Sequence, residues 1–260
     1  MSSVVSIKQL LESGIHFGHA ARKCHYRMKP FLFSLNDNGI PVVRNKIHII
    51  DLKKTMESID IAYKKMVELI SSNGKILFLG TKKQIQEIVK QEALRSQQYY
   101  IVHRWLGGTF TNFQTISKRI NFLKELYVQE KEGLWQNLPK KEVLNLTRKR
   151  EKLEKFLGGI KEMNKLPQAI FVVDVKKDII AINEARKLNI KVFGIADSDC
   201  DPNLVDYIIP ANNDAIKGVK LIVSIFANAV IEAEKMKNNQ KNVKNIDINN
   251  TPDNIKNKEI

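Results

Sequence analysis

The chain has 260 residues, and its 43 basic against 28 acidic side chains leave a formal net charge of +15. That length accommodates one sizeable core and an added module, and a hydrophobic content of 43% suits a soluble globular protein. So large a positive excess favours a polyanionic partner, nucleic acid or an anionic surface; an AT-rich genome would explain an Asn-rich tail but not the shortage of acids. Cys24 and Cys200 form neither a metal-type pair nor a disulfide framework, which points to a reducing compartment. No apolar run approaches the roughly 18–20 residues of a membrane span, so no membrane partner is expected. The N-terminus lacks the basic-then-apolar pattern of a signal peptide, and the protein is expected to act where it is made.

In chain order, residues 6–13 read as a short helix capped by Ser6 and ended by Gly14. The segment IHFGHAARKCHYRMKP follows, with His16, His19 and His25, and it sets Arg22, Lys23, Arg27 and Lys29 against no acid. Residues 31–35 read as a strand, 36–39 as an Asn-Asp-Asn-Gly turn and 47–50 as a second strand. Asp51 is placed to cap a helix whose apolar positions Leu52, Met56, Ile59, Tyr63, Met66 and Ile70 recur with helical period. Lys75 to Gly80 is the near-continuous apolar run of a strand buried on both faces. Thr81 is placed to cap a helix reaching about Arg95, and Tyr99 to Val102 is the next strand. Strand and helix alternating in this rhythm imply a parallel sheet with right-handed crossovers.

Residues 99–115, YYIVHRWLGGTFTNFQT, change the pattern. Gly107 and Gly108 permit a tight turn. Trp105 and Leu106 are placed to pack a domain junction, Thr109 and Thr111 offer helix caps, and His103 and Arg104 form a basic rim. From Thr115 to about Lys165 nothing reads as a strand. Ile116, Ile120, Leu123 and Tyr127 make one helical stripe; Val143, Leu146, Leu153 and Leu157 make another; and a turn containing Trp135 separates them, as in an antiparallel hairpin. This stretch holds 13 basic and 7 acidic residues, with the bases bunched at Arg148, Lys149 and Arg150. The α/β rhythm then resumes with a strand at Ala169–Asp174, a helix at about Asp178–Leu188, a strand at Lys191–Ala196, the loop ADSDCDPN, a short strand at Tyr207–Ile209 and a last helix from Asp214 to about Lys235. The expected organisation is a discontinuous α/β domain (1–112 and 166–235), a helical hairpin (113–165) and a tail (236–260). Eight of the tail's 25 residues are Asn, and it is expected to be disordered.

Candidate chemistry is sparse. No Ser–His–Asp order, H-E-x-x-H or C-x-x-C occurs, and no enzymatic role is expected. The loop after Gly80, GTKKQ, lacks both glycine-rich phosphate fingerprints, leaving only a helix N-terminus with Lys82 and Lys83 for a phosphate. A nucleotide-binding module or enzyme using the loops after Gly80 and Ala196 is the alternative class. His16, His19, Asp197, Asp199 and Asp201 have the ligand types of a divalent metal site, although structural histidines and an Asx-rich turn ending at Pro202 are the more ordinary account. No cofactor is required. Arg22–Lys29, His103–Trp105 and Arg148–Arg150 would each alone be a solvated charged face. Together on a chain of this charge they point to RNA.

Six segments in order, LLESGIHFGH, IHIIDLKKT, ILFLGTKKQ, YYIVHRWLGGTFTNF, AINEARKLNI and ADSDCDPNLVDYIIPANNDA, resemble the S-two family of small-subunit ribosomal proteins in its bacterial and organellar form, over roughly residues 4–235. The resemblance implies a flavodoxin-like, doubly wound parallel sheet bearing an inserted antiparallel coiled-coil hairpin. It also implies a structural place on the solvent side of the small subunit, between head and body, with ribosomal RNA as partner. Recruitment of the large mRNA-binding protein numbered first in that subunit is implied as well, and so is a bacterial cytoplasmic or organellar ribosome. The HFGH box falls on His16 to His19, the basic stretch on Arg22 to Lys29, the junction box on His103 to Gly108 followed by Asn112, and the acidic loop on Asp197 to Pro202. The chain departs from the family at Lys23–Lys29, which lacks the tryptophan and proline of an Arg-Trp-Asn-Pro-Lys-Met-like segment. It departs again at Pro210–Asp214, where the family has Pro-Gly-Asn-Asp, and in a longer loop at 36–46.

Overall fold

The computed structural model describes residues 4–34 and 40–249. Ser6 opens α1 (Ile7–Glu12) through a reciprocal capping box with Gln9. β1 (Phe17–Ala20), β2 (Val43–Arg44) and β3 (Ile47–Ile49) form a small antiparallel sheet in the order β1-β3-β2. The strand expected at 31–35 is not formed. A 3-10 turn at Tyr26–Phe31 gives way to single bridges, Leu32 with Ile50 and Ser34 with Pro41. β2 covers its edge of β3 only at Ile47 and His48, so the segment meets just the end of β3, where the Phe33 N–H donates to the Ile49 carbonyl (2.8 Å) and the Asp51 N–H to the Phe31 carbonyl (3.0 Å) on either side of the Leu32–Ile50 bridge. The expected turn at 36–39 lies outside the described residues.

Asp51 accepts the Lys53 N–H and opens α2 (Leu52–Ser71), which buries Ile59, Met66 and Ile70 along the expected stripe. β4 (Ile76–Leu79), β5 (Tyr99–Ile101), β6 (Ala169–Val172), β7 (Lys191–Ala196) and β8 (Tyr207–Pro210) form one sheet, every neighbouring pair parallel, in the order β5-β4-β6-β7-β8. By order of entry that is 2-1-3-4-5, the flavodoxin-like arrangement. α3 (Gln86–Arg95) joins β4 to β5. α4 (Phe113–Lys131) and α5 (Lys140–Leu157) are inserted between β5 and β6 and pack on each other. α6 (Ile179–Lys187) joins β6 to β7, and α7 (Ile216–Asn249) follows β8.

Strand alternation sorts the core into two layers. Ile76, Phe78, Phe171 and Phe193 face α2, α3 and α7, where Phe171 meets Phe226 with ring centroids 4.9 Å apart. Leu77, Leu79, Ile170 and Val192 face α6, the start of α4 and the residues after α5. Both faces of the sheet are therefore covered, as parallel sheets require.

Two helix ends differ from expectation. α3 starts at Gln86 rather than Thr81, after a turn closed by the Ile85 N–H on the Lys82 carbonyl (3.0 Å). Thr81 is buried and its hydroxyl donates to Asp178 (2.9 Å), so it serves the sheet edge and not a helix cap. α7 runs through to Asn249, so residues 236–249 are helical where disorder was expected; no Gly or Pro interrupts the chain between Val219 and Thr251. Residues 250–260 lie outside the described part. No helix among the described residues is long and apolar enough to cross a membrane.

The inserted arm returns to the sheet through a 3-10 turn at Gly158–Ile160. A Cβ on Gly159 would lie 2.1 Å from the Tyr100 carbonyl oxygen and 2.5 Å from its ring, so only glycine brings this turn so close to β5. Gly159→Ala is expected to cost about 1–3 kcal/mol of overpacking strain. A lowered urea midpoint at unchanged slope is the measurement.

Candidate nucleic-acid interface

The junction box is held by one carboxylate. Glu184, on α6 between buried Ala181, Ile182 and Ala185, is itself buried. One oxygen accepts the Trp105 indole N–H (3.0 Å) and the Gly108 N–H (2.8 Å). The other accepts the Phe110 N–H (2.9 Å), the Thr111 N–H (3.2 Å) and the Thr111 hydroxyl (3.3 Å). Burial opposes the charge, and these bonds outweigh it and hold the Glu184 carboxyl below the usual range. Trp105 is buried edge-on to Phe110, with centroids 4.8 Å apart. Of the two glycines, Gly108 sits at φ +85°, where L side chains are strained, whereas Gly107 has no such angle and open space around its Cβ direction. Thr109 and Thr111 cap no helix: the Thr109 hydroxyl donates to the Leu106 carbonyl (2.5 Å), Thr111 bonds Glu184, and Asn112 occupies the cap position of α4.

A second lattice joins the HFGH box to the acidic loop. The His19 N–H donates to the Ser198 hydroxyl (2.8 Å), and the His25 N–H donates to the Ser198 carbonyl (2.8 Å). A Cβ on Gly18 would meet the Ser198 Oγ at 2.8 Å. His19 Nδ1 lies 3.1 Å from Asp197, and its Nε2 lies 3.9 Å from Asp199 and 3.7 Å from Asp214. The bond to Asp197 raises the imidazole's pKa. Lys82 pairs with Asp174 (3.0 Å) and Asp214 (2.8 Å), and Lys176 pairs with Asp199 (2.7 Å). Of the five metal candidates the fold thus gathers His19, Asp197 and Asp199. His16 lies instead against Phe17, and Asp201 is taken by Arg27 at 2.6 Å. Among the described residues no group of three or more His, Cys, Asp or Glu side chains is arranged to hold a metal ion. The cavity here, lined by His19, Lys82, Asp174 and Asp199, is about 140 Å³, well below the ~300–1,000 Å³ of ligand pockets.

The three basic groups are not equally free. Arg22 and Lys23, on the turn at Ala21–Lys23, and Lys29, in the 3-10 turn at Tyr26–Phe31, are exposed. Arg27 is exposed but bound to Asp201, with its guanidinium over the Tyr26 ring at 5.2 Å. Arg104 is exposed, while His103 is half-buried with its ring edge-on to Phe156. Asn112 is exposed and accepts the Thr115 hydroxyl (2.8 Å). Arg148 and Lys149 stand out from α5 into solvent. Arg150 is half-buried: it pairs with Glu130 of α4 and lies over Tyr127, 5.4 Å from the ring centroid. It ties the arm's two helices together. Sequence reading did not single out Glu184, Ser198 or Asp174. Only Glu184 carried a signal, an acid set among positions that α6 buries.

Two titrations of opposite sign follow. Glu184 has a lowered folded pKa, so its stabilisation is present above the ordinary carboxyl value and lost as pH falls through the folded one. Glu184→Gln, which puts an amide donor against these donors, is expected to cost about 1–3 kcal/mol at neutral pH and to flatten the acid limb of a stability–pH curve. Asp178, buried beside Asp174, has its carboxyl raised to about 6 by desolvation. The fold therefore favours its protonated form, and stability falls as pH rises from about 4 through 6. Asp178→Asn is expected to exceed the parent by about 1–3 kcal/mol at pH 8 and to match it near pH 4, by urea denaturation at both values.

Residues 10–233 match the family model of ribosomal protein S2. The chain is 64% identical over 230 residues to small ribosomal subunit protein uS2 of Onion yellows phytoplasma (strain OY-M), covering 88% of this chain and 82% of that protein. It is 63% identical over the same length, with the same coverage, to small ribosomal subunit protein uS2 of Aster yellows witches'-broom phytoplasma (strain AYWB). With the parallel sheet in its 2-1-3-4-5 order and the junction and acidic-loop boxes each built into a bonded lattice, the chain belongs to the ribosomal protein S2 family.

Proposed function

We propose that the chain is a structural component of the small ribosomal subunit of the bacterial cytoplasm, docking on folded ribosomal RNA without catalysing a reaction. The observation that carries the RNA reading is that, within the three basic groups, Arg22, Lys23, Lys29, Arg104, Arg148 and Lys149 are exposed with no acid partner among the described residues. Cations left unpaired by the fold are available to neutralise phosphates, and each neutralised phosphate releases counterions. The sheet domain supplies a rigid platform, and the α4–α5 arm extends the reach of the same charge. The nucleotide-binding alternative gains no support, because the lysine nearest the relevant loop, Lys82, is already neutralised by two aspartates.

Protein neighbours in the subunit have a separate surface to use. A groove of about 590 Å³ opens between α1, the small sheet and the start of α2, lined by Ile7, Leu11, Phe17, Phe33 and Ile49. Ile7, Leu11, Phe17 and Phe33 all remain exposed there. An apolar patch of this kind suits a protein contact rather than RNA, and the recruited mRNA-binding protein implied by the family is one such neighbour.

Arg148→Glu combined with Lys149→Glu is expected to weaken binding to small-subunit RNA. The log–log salt slope is expected to become shallower by about 1 for each phosphate that the variant no longer neutralises. Filter binding across a salt series, with sedimentation of the tagged chain on sucrose gradients, measures both. Full occupancy of the small-subunit peak by the double variant would remove this pair from the interface.

A further inference from the structure

We infer that the cleft between α3, the end of β5 and α5 is a pocket for a single phosphate-type oxyanion, with Lys90, Lys155 and His103 as its ligands. The three side chains come from three elements and line one cavity of about 170 Å³, together with Val102, Phe156 and Gly159. β5 is the edge strand of the sheet, so no further strand covers this side. The close approach of Gly159 to Tyr100 brings α5 near enough to face α3 across the cleft.

Charge sets the ligand class. Lys90 and Lys155 have no ion pair among the described residues. The acid in the lining, Glu154, is ion-paired with Lys161 (2.5 Å), which stands outside the lining. Burial first, then Lys155 and Lys90, push the His103 imidazole below its ordinary pKa. Like charges therefore converge on one small space whose single carboxylate has its own counterion in Lys161, and an anion there relieves the repulsion. Size sets the rest: at about 170 Å³ the cleft is too small for a nucleoside, yet it holds a phosphate and a few waters at about 30 Å³ each. An anion in the site opposes the effect of the two lysines and favours the protonated form of His103, which donates to it as a third cationic ligand.

Two sources supply this group: a phosphodiester of the RNA backbone, which rests on the RNA-binding reading above, or free inorganic phosphate, which does not. The test follows the His103 Cε1–H resonance of the full chain by NMR, assigned through His103→Gln, during pH titrations at constant ionic strength. Millimolar phosphate and a short single-stranded RNA are added in separate arms, with chloride as the reference anion. Phosphate is expected to raise the His103 pKa in the parent and not in Lys90→Gln/Lys155→Gln, whose own His103 pKa starts closer to the ordinary value. The Lys90→Arg/Lys155→Arg variant is expected to retain the response. A response to RNA as well assigns the pocket to a backbone phosphate; a response to phosphate alone assigns it to the free ion. An unmoved His103 in both arms, or a response retained in the glutamine variant, overturns the pocket. The RNA reading is judged separately, by whether the same glutamine variant still binds small-subunit RNA through Arg148 and Lys149.

Discussion

A buried carboxylate needs donors, and Glu184 takes five hydrogen bonds from Trp105, Gly108, Phe110 and Thr111. The dependence runs both ways. Without those N–H groups the charge on α6 would have to be neutralised; without the charge, a stretch of backbone between β5 and α4 would be buried with its donors unpaired. The five bonds fix residues 105–111 to the helix face, and so fix where α4 departs from the sheet. The far end of the arm is fixed by a different force, the close packing of Gly159 on Tyr100. Departure is thus held on α6 and return on β5, two separate anchors for one inserted arm.

The opposite margin of the site uses charge in another way. Flavodoxin-like sheets gather ligands at the C-terminal ends of their strands, near the switch point between the first and third strands to enter. Here those ends carry Asp174, Asp178, Asp197 and Asp199, and the chain supplies its own counterions in Lys82, Lys176 and His19. His19 comes from β1 of the small sheet, and Gly18 lets that strand lie directly on Ser198. A position that binds ligands in related architectures is occupied here by the protein's own N-terminal segment, which it clamps to the sheet.

Much of this was legible in the sequence because it depends on local pattern. The buried strands announce themselves as apolar runs, α2 by its stripe, and the arm by about fifty residues without a strand-like stretch. What was not legible depends on partners distant in sequence. Residues 31–35 have strand-like composition, but β2 takes the edge of β3 at Ile47 and His48 and leaves only its end at Ile49 for Phe33, enough for a single bridge. Thr81 looks like a helix cap, but the Asp178 carboxylate lies within reach and takes its hydroxyl. Tyr127 fits the helical period of α4, yet it stays exposed as a platform for Arg150 and Lys161. The HFGH box and the acidic loop were each visible as sequences, but their meeting spans 179 positions between His19 and Ser198, and only the fold brings them together.

The fold also decides what a net charge of +15 means. Formal charge counts every lysine and arginine alike, whereas a partner meets only those the fold has not already neutralised. Arg27 and Arg150 are the best-anchored members of their basic groups and for that reason the poorest candidates for phosphate: each is held by a carboxylate and an aromatic ring. Their neighbours Arg22, Lys23, Arg148 and Lys149 gain from this, because the tied arginine fixes the backbone from which they project. Anchoring one cation in a cluster limits the entropy that the others would lose on meeting a polyanion. A basic run is thus divided by the fold into a residue tied within the protein and residues left without an acid partner, and this division, rather than the total, is what structure adds to the charge.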